Sequence, residues 1–270
     1  MKKTIFITGA SSGLGKAAAL LFAKNNWNVI ATMRTPENET ELAEVANITL
    51  LPLDVTDNEQ IQETVKNALA IGKIDVVFNN AGYGLAGPFE GATDDQLTNQ
   101  LNTNLLGVMR VTQQFLPHFR ENKAGTLITT TSIGGLITFP FFSVYHATKW
   151  ALEGWSESLA FELKEFGITV KTVSPGGIAT DFASRSLVMT QNEAYDEQLN
   201  NVLSVFMDPE KAKDYSTAEQ IAAVVYEAAT DGKSTLRYVA GTDAKQMYAQ
   251  RIAVGEEAFR QGIEQVFYKK

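Results

Sequence analysis

The chain has 270 residues, of which 31 are acidic and 23 basic, and its formal net charge is -8. A surface of that sign repels nucleic-acid phosphates unless basic residues are concentrated, and the densest basic spots are only the pairs Lys2-Lys3 and Lys269-Lys270. We therefore expect no nucleic-acid partner. The sequence has no cysteine, which excludes disulfides and cysteine-ligated metal sites and fits a cytoplasmic location.

The amino terminus, MKKTIFITGASSG, resembles a secretory signal in that two lysines precede an apolar stretch. The apolar run at residues 5–7 is too short for such a signal and ends before Gly9. No apolar run approaches the length of a membrane-spanning helix. The sequence thus predicts a cytoplasmic protein with no membrane partner.

Patterns typical of strands and helices alternate in chain order. Strands are predicted at residues 4–8, 28–32, 49–53, 74–78, 125–131, 168–173 and 235–240, and helices at 14–25, 57–71, 94–119 (ending near Pro117), 144–166 and 218–230. Short apolar strands separated by helices pair in parallel and are covered by helices on both faces. We therefore predict an α/β fold with a doubly wound, mostly parallel, seven-stranded sheet.

We found no repeat, low-complexity segment or Pro/Gly/Ser-rich linker, so residues 1–270 are expected to form one domain. Residues 182–217 interrupt the alternation, because they are polar and less clearly periodic. Ligands of open α/β sheets bind at the carboxyl ends of the strands. Since this insertion follows a strand, we predict that it forms a substrate lid.

A glycine-rich turn joins the first strand to the first helix. Its spacing is G-x-x-x-G-x-G, and the candidate cofactor contacts are Gly9, Ser11, Ser12, Gly13, Leu14 and Gly15. Glycines let the turn tighten and bring backbone N–H groups close to a pyrophosphate, next to the positive end of the helix. The alternative is an ordinary strand-to-helix connection. The position at the first such junction favours binding.

Three later strand ends are expected to converge on the same ligand. They contribute Asp54 and Val55 after the third strand, Asn80, Ala81 and Gly82 after the fourth, and Pro175, Gly176, Ile178 and Thr180 after the sixth. Each group alone reads as a turn, because Asn, Asp, Pro and Gly are turn-forming residues. Their shared location at one edge of the sheet predicts a dinucleotide site.

The end of the second strand bears on the choice between NAD and NADP. An acidic side chain there accepts hydrogen bonds from a free ribose 2′-hydroxyl, whereas this strand ends at Arg34. Arginine suits a 2′-phosphate because its fork donates two parallel bonds. We therefore predict NADP. Arg34 as a solvated surface residue remains the alternative, and Glu37 close by complicates the interpretation.

Tyr145 and Lys149 lie four residues apart, which places them on one helix face. A phenol with a pKa near 10 is a poor proton donor and acceptor at neutral pH, and a nearby ammonium favours its phenolate form. Ser132, thirteen residues before Tyr145, is placed to donate to a carbonyl oxygen beside the phenol. Asn104 in the preceding helix is placed to fix a water that relays protons through Lys149.

These motifs together resemble the short-chain dehydrogenase/reductase family, in its compact single-domain, Rossmann-type branch. The resemblance covers roughly residues 4–181 and includes the glycine turn, the strand ends, Asn104, Ser132 and the Tyr145…Lys149 pair. The stretch IATMR, ending at Arg34, is similar to NADP-preferring carbonyl reductases and hydroxysteroid dehydrogenases. Ser12 departs from many NADP binders, which carry a basic residue there.

The resemblance also implies a role for each residue. Ser132 would polarise the substrate carbonyl, Tyr145 would protonate the nascent alkoxide, and Asn104 would support the relay water. Lys149 would bind the nicotinamide ribose and lower the pKa of Tyr145, which would itself also contact the cofactor, and Thr180 would hold the carboxamide. A homodimer or homotetramer is also implied.

The expected activity is NADP(H)-dependent interconversion of a ketone or aldehyde and an alcohol. Residues 133–142, rich in aromatic and aliphatic side chains, suggest an apolar or aromatic substrate, with Phe182 completing the pocket, although core or interface packing would also explain them. His118 and His146 are the only histidines and are expected to pack rather than bind metal. The alternatives are an NAD-dependent alcohol dehydrogenase of the same family and a non-catalytic, nucleotide-sensing protein.

Overall fold

The computed structural model describes residues 2–179, 186–206, 208, 210 and 213–268. The strands described are β1 (Thr4–Thr8), β2 (Asn28–Met33), β3 (Ile48–Pro52), β4 (Val76–Asn79), β5 (Gly84–Ala86), β6 (Gly125–Thr130), β7 (Ile168–Pro175), β8 (Leu187–Met189) and β9 (Arg237–Ala240). The helices described are α1 (Gly13–Lys24), α2 (Asn58–Ile71), α3 (Asp94–Leu101), α4 (Gly107–Asn122), α5 (Ser143–Leu163), α6 (Asp196–Phe206), α7 (Ala218–Thr230), α8 (Thr242–Val254) and α9 (Glu256–Phe267).

Seven strands form one parallel sheet in the order β3-β2-β1-β4-β6-β7-β9. The predicted doubly wound, seven-stranded sheet is therefore confirmed. The strand order reverses between β1 and β4. A crevice opens beyond the carboxyl ends of strands at such a switch point, so the fold itself locates the candidate ligand site there.

Side chains of β1 alternate between two hydrophobic cores, one on each face of the sheet. Ile5 and Ile7 belong to the core that α1 and α7 cover, whereas Phe6 belongs to the core under α2, α4 and α5. The Phe6 ring packs 4.9 Å from the ring of Phe115 in α4. Burial on both faces explains why the strand reads as a continuous apolar run.

The helix predicted at residues 94–119 is longer than expected and interrupted. A π-helical turn, Asn102–Leu106, joins α3 to α4, and α4 continues past Pro117 to Asn122. Proline removes one helical hydrogen bond, but the turn that follows it is stabilised by buried Phe119 and by Lys123 in the left-handed conformation. The predicted stop at Pro117 is therefore wrong.

Residues 182–217 contain more regular structure than predicted. β8 pairs in parallel with β5 as a small second sheet, and α6 follows a short turn, Glu193–Tyr195. Residues 182–185, 207, 209, 211 and 212 of this segment, including Phe182, lie outside the described residues. The predictions also omitted α8 and α9, which a single glycine, Gly255 (φ 83°), separates.

Within the described part of the chain, no helix is both long and apolar enough to cross a membrane.

Candidate active site

The glycine turn after β1 is too crowded for larger residues at two of its positions. Gly9 has φ +67°, and a Cβ there would lie 2.8 Å from the Ala81 Cα. A Cβ on Gly15 would lie 2.2 Å from the Gly9 carbonyl oxygen. Gly13, at φ +52°, meets no described atom within 4 Å and faces open space. The turn is thus closely packed at Gly9 and Gly15 and open at Gly13, which leaves room for a phosphate beside the backbone.

The amino terminus of α1 opens onto this cradle. Ser12 is extended at the N-cap position, and no described side chain caps the first turn, which also carries no acidic residue. The first N–H groups of a helix have no partner within the helix, and the helix dipole adds positive potential there. Ser11, Ser12, Gly13 and Leu14 therefore fit the pyrophosphate of a dinucleotide.

Asn80 holds the turn against the end of β4. Its Nδ2 donates to the carbonyl oxygens of Thr8 and Gly9, at 3.2 and 3.1 Å, and its Oδ1 accepts from Thr130 Oγ1 at 3.3 Å. The Thr8 hydroxyl in turn accepts the backbone N–H groups of Asn80 and Ala81. The Asn80 side chain therefore shapes the predicted cofactor site, and Ala81 and Gly82 continue from it along the crevice.

The end of β7 is fixed by a residue that sequence analysis missed. Asp243, in the first turn of α8, accepts the Gly177 N–H at 2.7 Å, and a Cβ on Gly176 would lie 2.2 Å from its carboxylate. Pro175 ends the strand, and Ile178 forms a bridge with Ser216. Thr180 lies outside the described residues. Asp243 is 66 residues from Gly177, so no local pattern indicates the pairing.

Arg34 is exposed directly after β2. Two acids of the following loop are occupied elsewhere, because Lys16 of α1 pairs with Glu39 at 2.9 Å and with Glu41 at 2.8 Å. In residues 2–179 and the other described segments, Arg34 forms no salt bridge. Its guanidinium is therefore available to an anion at the crevice.

Asp54 and Val55 follow β3 as predicted, but both are engaged in local structure. Asp54 Oδ1 accepts from the backbone N–H and the hydroxyl of Thr56, at 2.9 and 2.7 Å, and so closes a turn. Val55 is buried, and a Cβ on Gly107 would lie 2.8 Å from its carbonyl oxygen. Val55 thus brings the end of β3 close to the start of α4.

Tyr145 and Lys149 share one face of α5, with the Lys149 Nζ 5.7 Å from the centroid of the Tyr145 ring. The buried ammonium donates to the Thr130 carbonyl at 2.9 Å, which ties α5 to the end of β6. Ser132 follows β6 and lies close enough to the Tyr145 phenol to lower its pKa, and the Ser132 Oγ accepts the Gly134 N–H at 3.0 Å. The three predicted residues therefore lie together.

Burial governs the proton affinity of this group. It raises the pKa of Tyr145, and the neighbouring Ser132 hydroxyl opposes that effect. Burial also lowers the pKa of Lys149 to about 8, against the opposing charge of Glu153. The expectation that the pKa of Tyr145 is lowered is therefore not met here, because desolvation penalises the charged form of each group.

Asn104 lies buried in the π-helical turn between α3 and α4. Its side chain accepts the Tyr83 N–H at 3.0 Å and donates to the Tyr83 carbonyl at 2.8 Å, and its Nδ2 lies 3.5 Å from the Thr148 hydroxyl of α5. Such turns recur at functional sites. Asn104 thus reaches the helix that carries Tyr145, while its role in holding a water remains a prediction.

The His146 side chain hydrogen bonds to the loop that follows Ser132 and does not take part in the candidate active site. Its Nε2 accepts the Phe139 N–H at 3.0 Å, so Nδ1 carries the proton and donates to the Gly134 carbonyl at 2.7 Å. Burial lowers the pKa of His146 to about 4. This arrangement agrees with the packing role that the sequence predicted. Among the described residues, no group of three His, Asp or Glu side chains is placed to hold a metal ion.

We expect His146 to make the protein acid-sensitive. Its folded pKa of about 4 lies below the ordinary value of 6.5, so between these values the unfolded chain binds more protons and stability falls as pH falls. Lowering the pH from 7.5 to 5 should cost roughly 2 kcal/mol through this group. Urea unfolding of wild type and His146→Gln at both pH values tests this, and equal acid sensitivity of the two proteins would contradict it.

Comparison with known proteins identifies the family. The model of the short chain dehydrogenase family matches residues 3–190, and the chain belongs to this family of oxidoreductases. It is 37% identical over 258 residues to the oxidoreductase BOA17 of Botryotinia fuckeliana, covering 94% of this chain and 93% of that protein. It is 35% identical over 211 residues to the 3-ketodihydrosphingosine reductase of Bacteroides thetaiotaomicron, covering 77% of each.

Several solved structures share the fold. A short-chain dehydrogenase from Streptomyces avermitilis is 32% identical with a TM-score of 0.85, over 98% of this chain and 96% of that one. ElxO with NADP bound is 29% identical with a TM-score of 0.74, over 88% and 98%. The 3-ketoacyl-(acyl-carrier-protein) reductase of Brucella melitensis, complexed with NADH, is 22% identical with a TM-score of 0.75, over 88% and 96%, and shows the fold alone.

Proposed function

We propose that this protein is an NADP(H)-dependent oxidoreductase that interconverts a ketone or aldehyde and an alcohol, with Tyr145 as the acid/base. The observation that carries the proposal is the grouping of Ser132, Tyr145 and Lys149. Lys149 donates to Thr130, and Thr130 donates to Asn80, which holds the glycine turn. A nucleotide-sensing protein without catalysis would not need this arrangement. The non-catalytic alternative is therefore disfavoured.

The chain's own residues supply binding and proton transfer. When bound, NADPH supplies the hydride for the carbonyl carbon. The Ser132 hydroxyl donates to the carbonyl oxygen and polarises it, and Tyr145 transfers its phenolic proton to that oxygen as the alcohol forms. The Lys149 ammonium stabilises the phenolate that remains, and Asn104 supports the water that returns a proton.

The cofactor would lie along the carboxyl edge of the sheet. The α1 terminus and glycine turn would hold the pyrophosphate, and Arg34 the 2′-phosphate. Lys149 would hold the nicotinamide ribose, with Asp54, Val55, Asn80, Ala81, Gly82, Pro175, Gly176, Ile178 and Thr180 along the remaining crevice. ElxO, which carried NADP, supports this choice, and an NAD-dependent alcohol dehydrogenase remains the second candidate.

The proposed substrate is apolar or aromatic. Within residues 133–142, the aliphatic side chains Ile133, Leu136 and Ile137 belong to a hydrophobic core, so core packing explains their presence. Phe142, however, is only partly buried, and its ring lies 6.3 Å from that of Tyr145. The relative named as a 3-ketodihydrosphingosine reductase supports an apolar ketone.

We further propose that residues 182–217 serve as the substrate lid. Phe206 of α6 packs 5.4 Å from both Phe139 and Phe142, and the Tyr195 hydroxyl donates to Glu90 at 2.9 Å. These contacts pack α6 and Tyr195 against neighbouring loops, one of which leads to Tyr145, and so support the proposal. A cytoplasmic location and a homodimer or homotetramer stay predictions, the second open to light scattering.

The proposed activity is tested with a panel of ketones, aldehydes and alcohols, read by NADPH absorbance. Apolar carbonyl compounds should be reduced faster than polar ones of equal size. Absence of turnover across the panel, with NADPH still bound, would favour the non-catalytic alternative.

Replacing Arg34 should weaken the preference for NADPH. Arg34→Ala removes the proposed partner of the 2′-phosphate, so the KM for NADPH should rise about tenfold or more, as charge-assisted bonds of roughly 1.5–3 kcal/mol are lost. The KM for NADH should stay unchanged. Lys24→Ala, a charge removal in the last turn of α1, is the control. Equal use of NADH by the wild type would refute this role for Arg34.

A further inference from the structure

A buried carboxylate lies one helical turn beyond Lys149. Glu153 of α5 is 4% exposed. A charged carboxylate is costly to bury unless hydrogen bonds and cations compensate it. Its position four residues after Lys149 places both side chains on one helix face.

Residues of β7 and β9, and the residue that directly follows β6, compensate the Glu153 carboxylate. Oε1 accepts from the hydroxyls of Thr131 and Ser174, at 2.6 and 3.0 Å. Oε2 accepts from the Arg237 Nε of β9 at 2.9 Å and from the Thr172 hydroxyl of β7 at 3.3 Å. One side chain thus joins α5 to the end of β6, to β7 and to β9.

Two partners of Glu153 are sequence neighbours of predicted catalytic and cofactor-binding residues. Thr131 directly precedes Ser132, and Ser174 directly precedes Pro175 of the predicted cofactor loop. The Ser132 loop also packs on the same helix turn, because a Cβ on Gly135 would lie 3.2 Å from the Glu153 Cγ. Fixing Glu153 therefore fixes the separation between Ser132 and the helix that carries Tyr145.

We propose that Glu153 is a positioning residue of the active site, whose carboxylate ties the Ser132 strand end and the cofactor loop to the helix of Tyr145 and Lys149. The proposal rests on the function proposed above. Glu153 acts through these residues and does not touch the reacting atoms. A displacement of about 1 Å in such a group is enough to cost about 100-fold in rate.

The charge of Glu153 has a second effect, on Lys149. It raises the pKa of Lys149 against the burial that lowers it to about 8. In the described structure the titratable neighbours of Lys149 are Tyr145 and Glu153, while Glu153 also faces Arg237, which binds Glu157 as well. Loss of the Glu153 charge should therefore lower the pKa of Lys149 further and leave Arg237 paired.

Glu153→Gln tests both effects, because it keeps the size of the side chain and removes its charge. We expect kcat for carbonyl reduction to fall about 100-fold, as for a misplaced catalytic group. The KM should change little, and the alkaline limb of the pH profile should move to lower pH. Asp231→Asn is the matched control, since it breaks a buried pair of 2.6 Å with Lys171 that has no described contact to Ser132, Tyr145 or Lys149.

Similar loss of thermal stability in both variants, with the pH profile moved only in Glu153→Gln, would support the proposal. A lowered Tm with unchanged kcat and pH profile would overturn it, because Glu153 would then be merely structural. If Glu153→Gln does not fold, Thr131→Val leaves the carboxylate in place and removes its 2.6 Å bond to Thr131, together with the Thr131 contacts to the Val173 carbonyl and the Ser174 hydroxyl. It should still lower kcat about tenfold, the lower range for a supporting residue. An unchanged kcat in that variant would also overturn the proposal.

An NMR titration of the lysine side chains separates this proposal from the proposed function. Lys149→Met assigns the Lys149 signal, which should titrate at lower pH in Glu153→Gln than in the wild type. Were no carbonyl substrate found, the proposed function would fail, and the titration would still decide whether Glu153 controls Lys149. An unchanged titration would overturn the coupling.

Discussion

Tyr145→Phe is expected to lose turnover while keeping the cofactor site intact. The substitution removes only the phenolic hydroxyl, which lies beside Ser132, and general acid catalysis contributes about 10²–10⁴-fold. We therefore expect kcat to fall roughly 1000-fold, near the middle of that range. Binding of NADPH, followed by its fluorescence, should be unchanged because the glycine turn is not altered.

The raised pKa of Tyr145 explains why the loss should be this large in the reductive direction. A phenol whose pKa is raised by burial is protonated at neutral pH, which is the form that carbonyl reduction requires. Tyr226→Phe in α7, whose ring packs 5.0 Å from that of Phe22, is the matched control and should keep full activity. Undiminished turnover of Tyr145→Phe would remove Tyr145 from the mechanism.

The parts of the site that the sequence predicts are those carried by local patterns. Tyr145 and Lys149 share a helix face by spacing, and Gly9 and Gly15 mark a strand-to-helix turn. Each of these features depends on residues fewer than ten positions apart. The doubly wound sheet is predictable for the same reason, because each strand and helix has its own periodicity.

The residues that support the site depend on contacts distant in sequence. Asp243 reaches the β7 end from α8, and Glu153 meets Arg237 across 84 positions. For the hydrogen bonds around Glu153, the local sequence offers one indication, which is the spacing of four residues between Lys149 and Glu153 on one helix face. The direction of the Tyr145 pKa shift could not be predicted from the sequence either. The spacing indicates a neighbouring charge, but it does not indicate how deeply the phenol is buried.

Gly15→Ala should weaken cofactor binding, because the added methyl group would clash with the backbone of the turn. Its Cβ would lie 2.2 Å from the Gly9 carbonyl oxygen and 2.7 Å from the Asn80 Nδ2. Neither the Gly9 backbone nor the hydrogen-bonded Asn80 amide can give way easily, so the turn itself would have to move. Overpacking of this kind costs about 1–3 kcal/mol, and the displaced N–H groups are those proposed to bind pyrophosphate.

We expect the affinity for NADPH to fall at least about tenfold and the Tm to drop, measured by fluorescence titration and thermal unfolding. Gly154→Ala in α5 is the matched control, since its methyl meets no described atom within 4 Å and alanine favours a helix by about 1 kcal/mol. That variant should bind NADPH normally at an equal or higher Tm. Normal NADPH binding by Gly15→Ala would show that the cofactor does not lie against this turn. The hydride donor would then not be placed beside Ser132, Tyr145 and Lys149, and their proposed roles would fail.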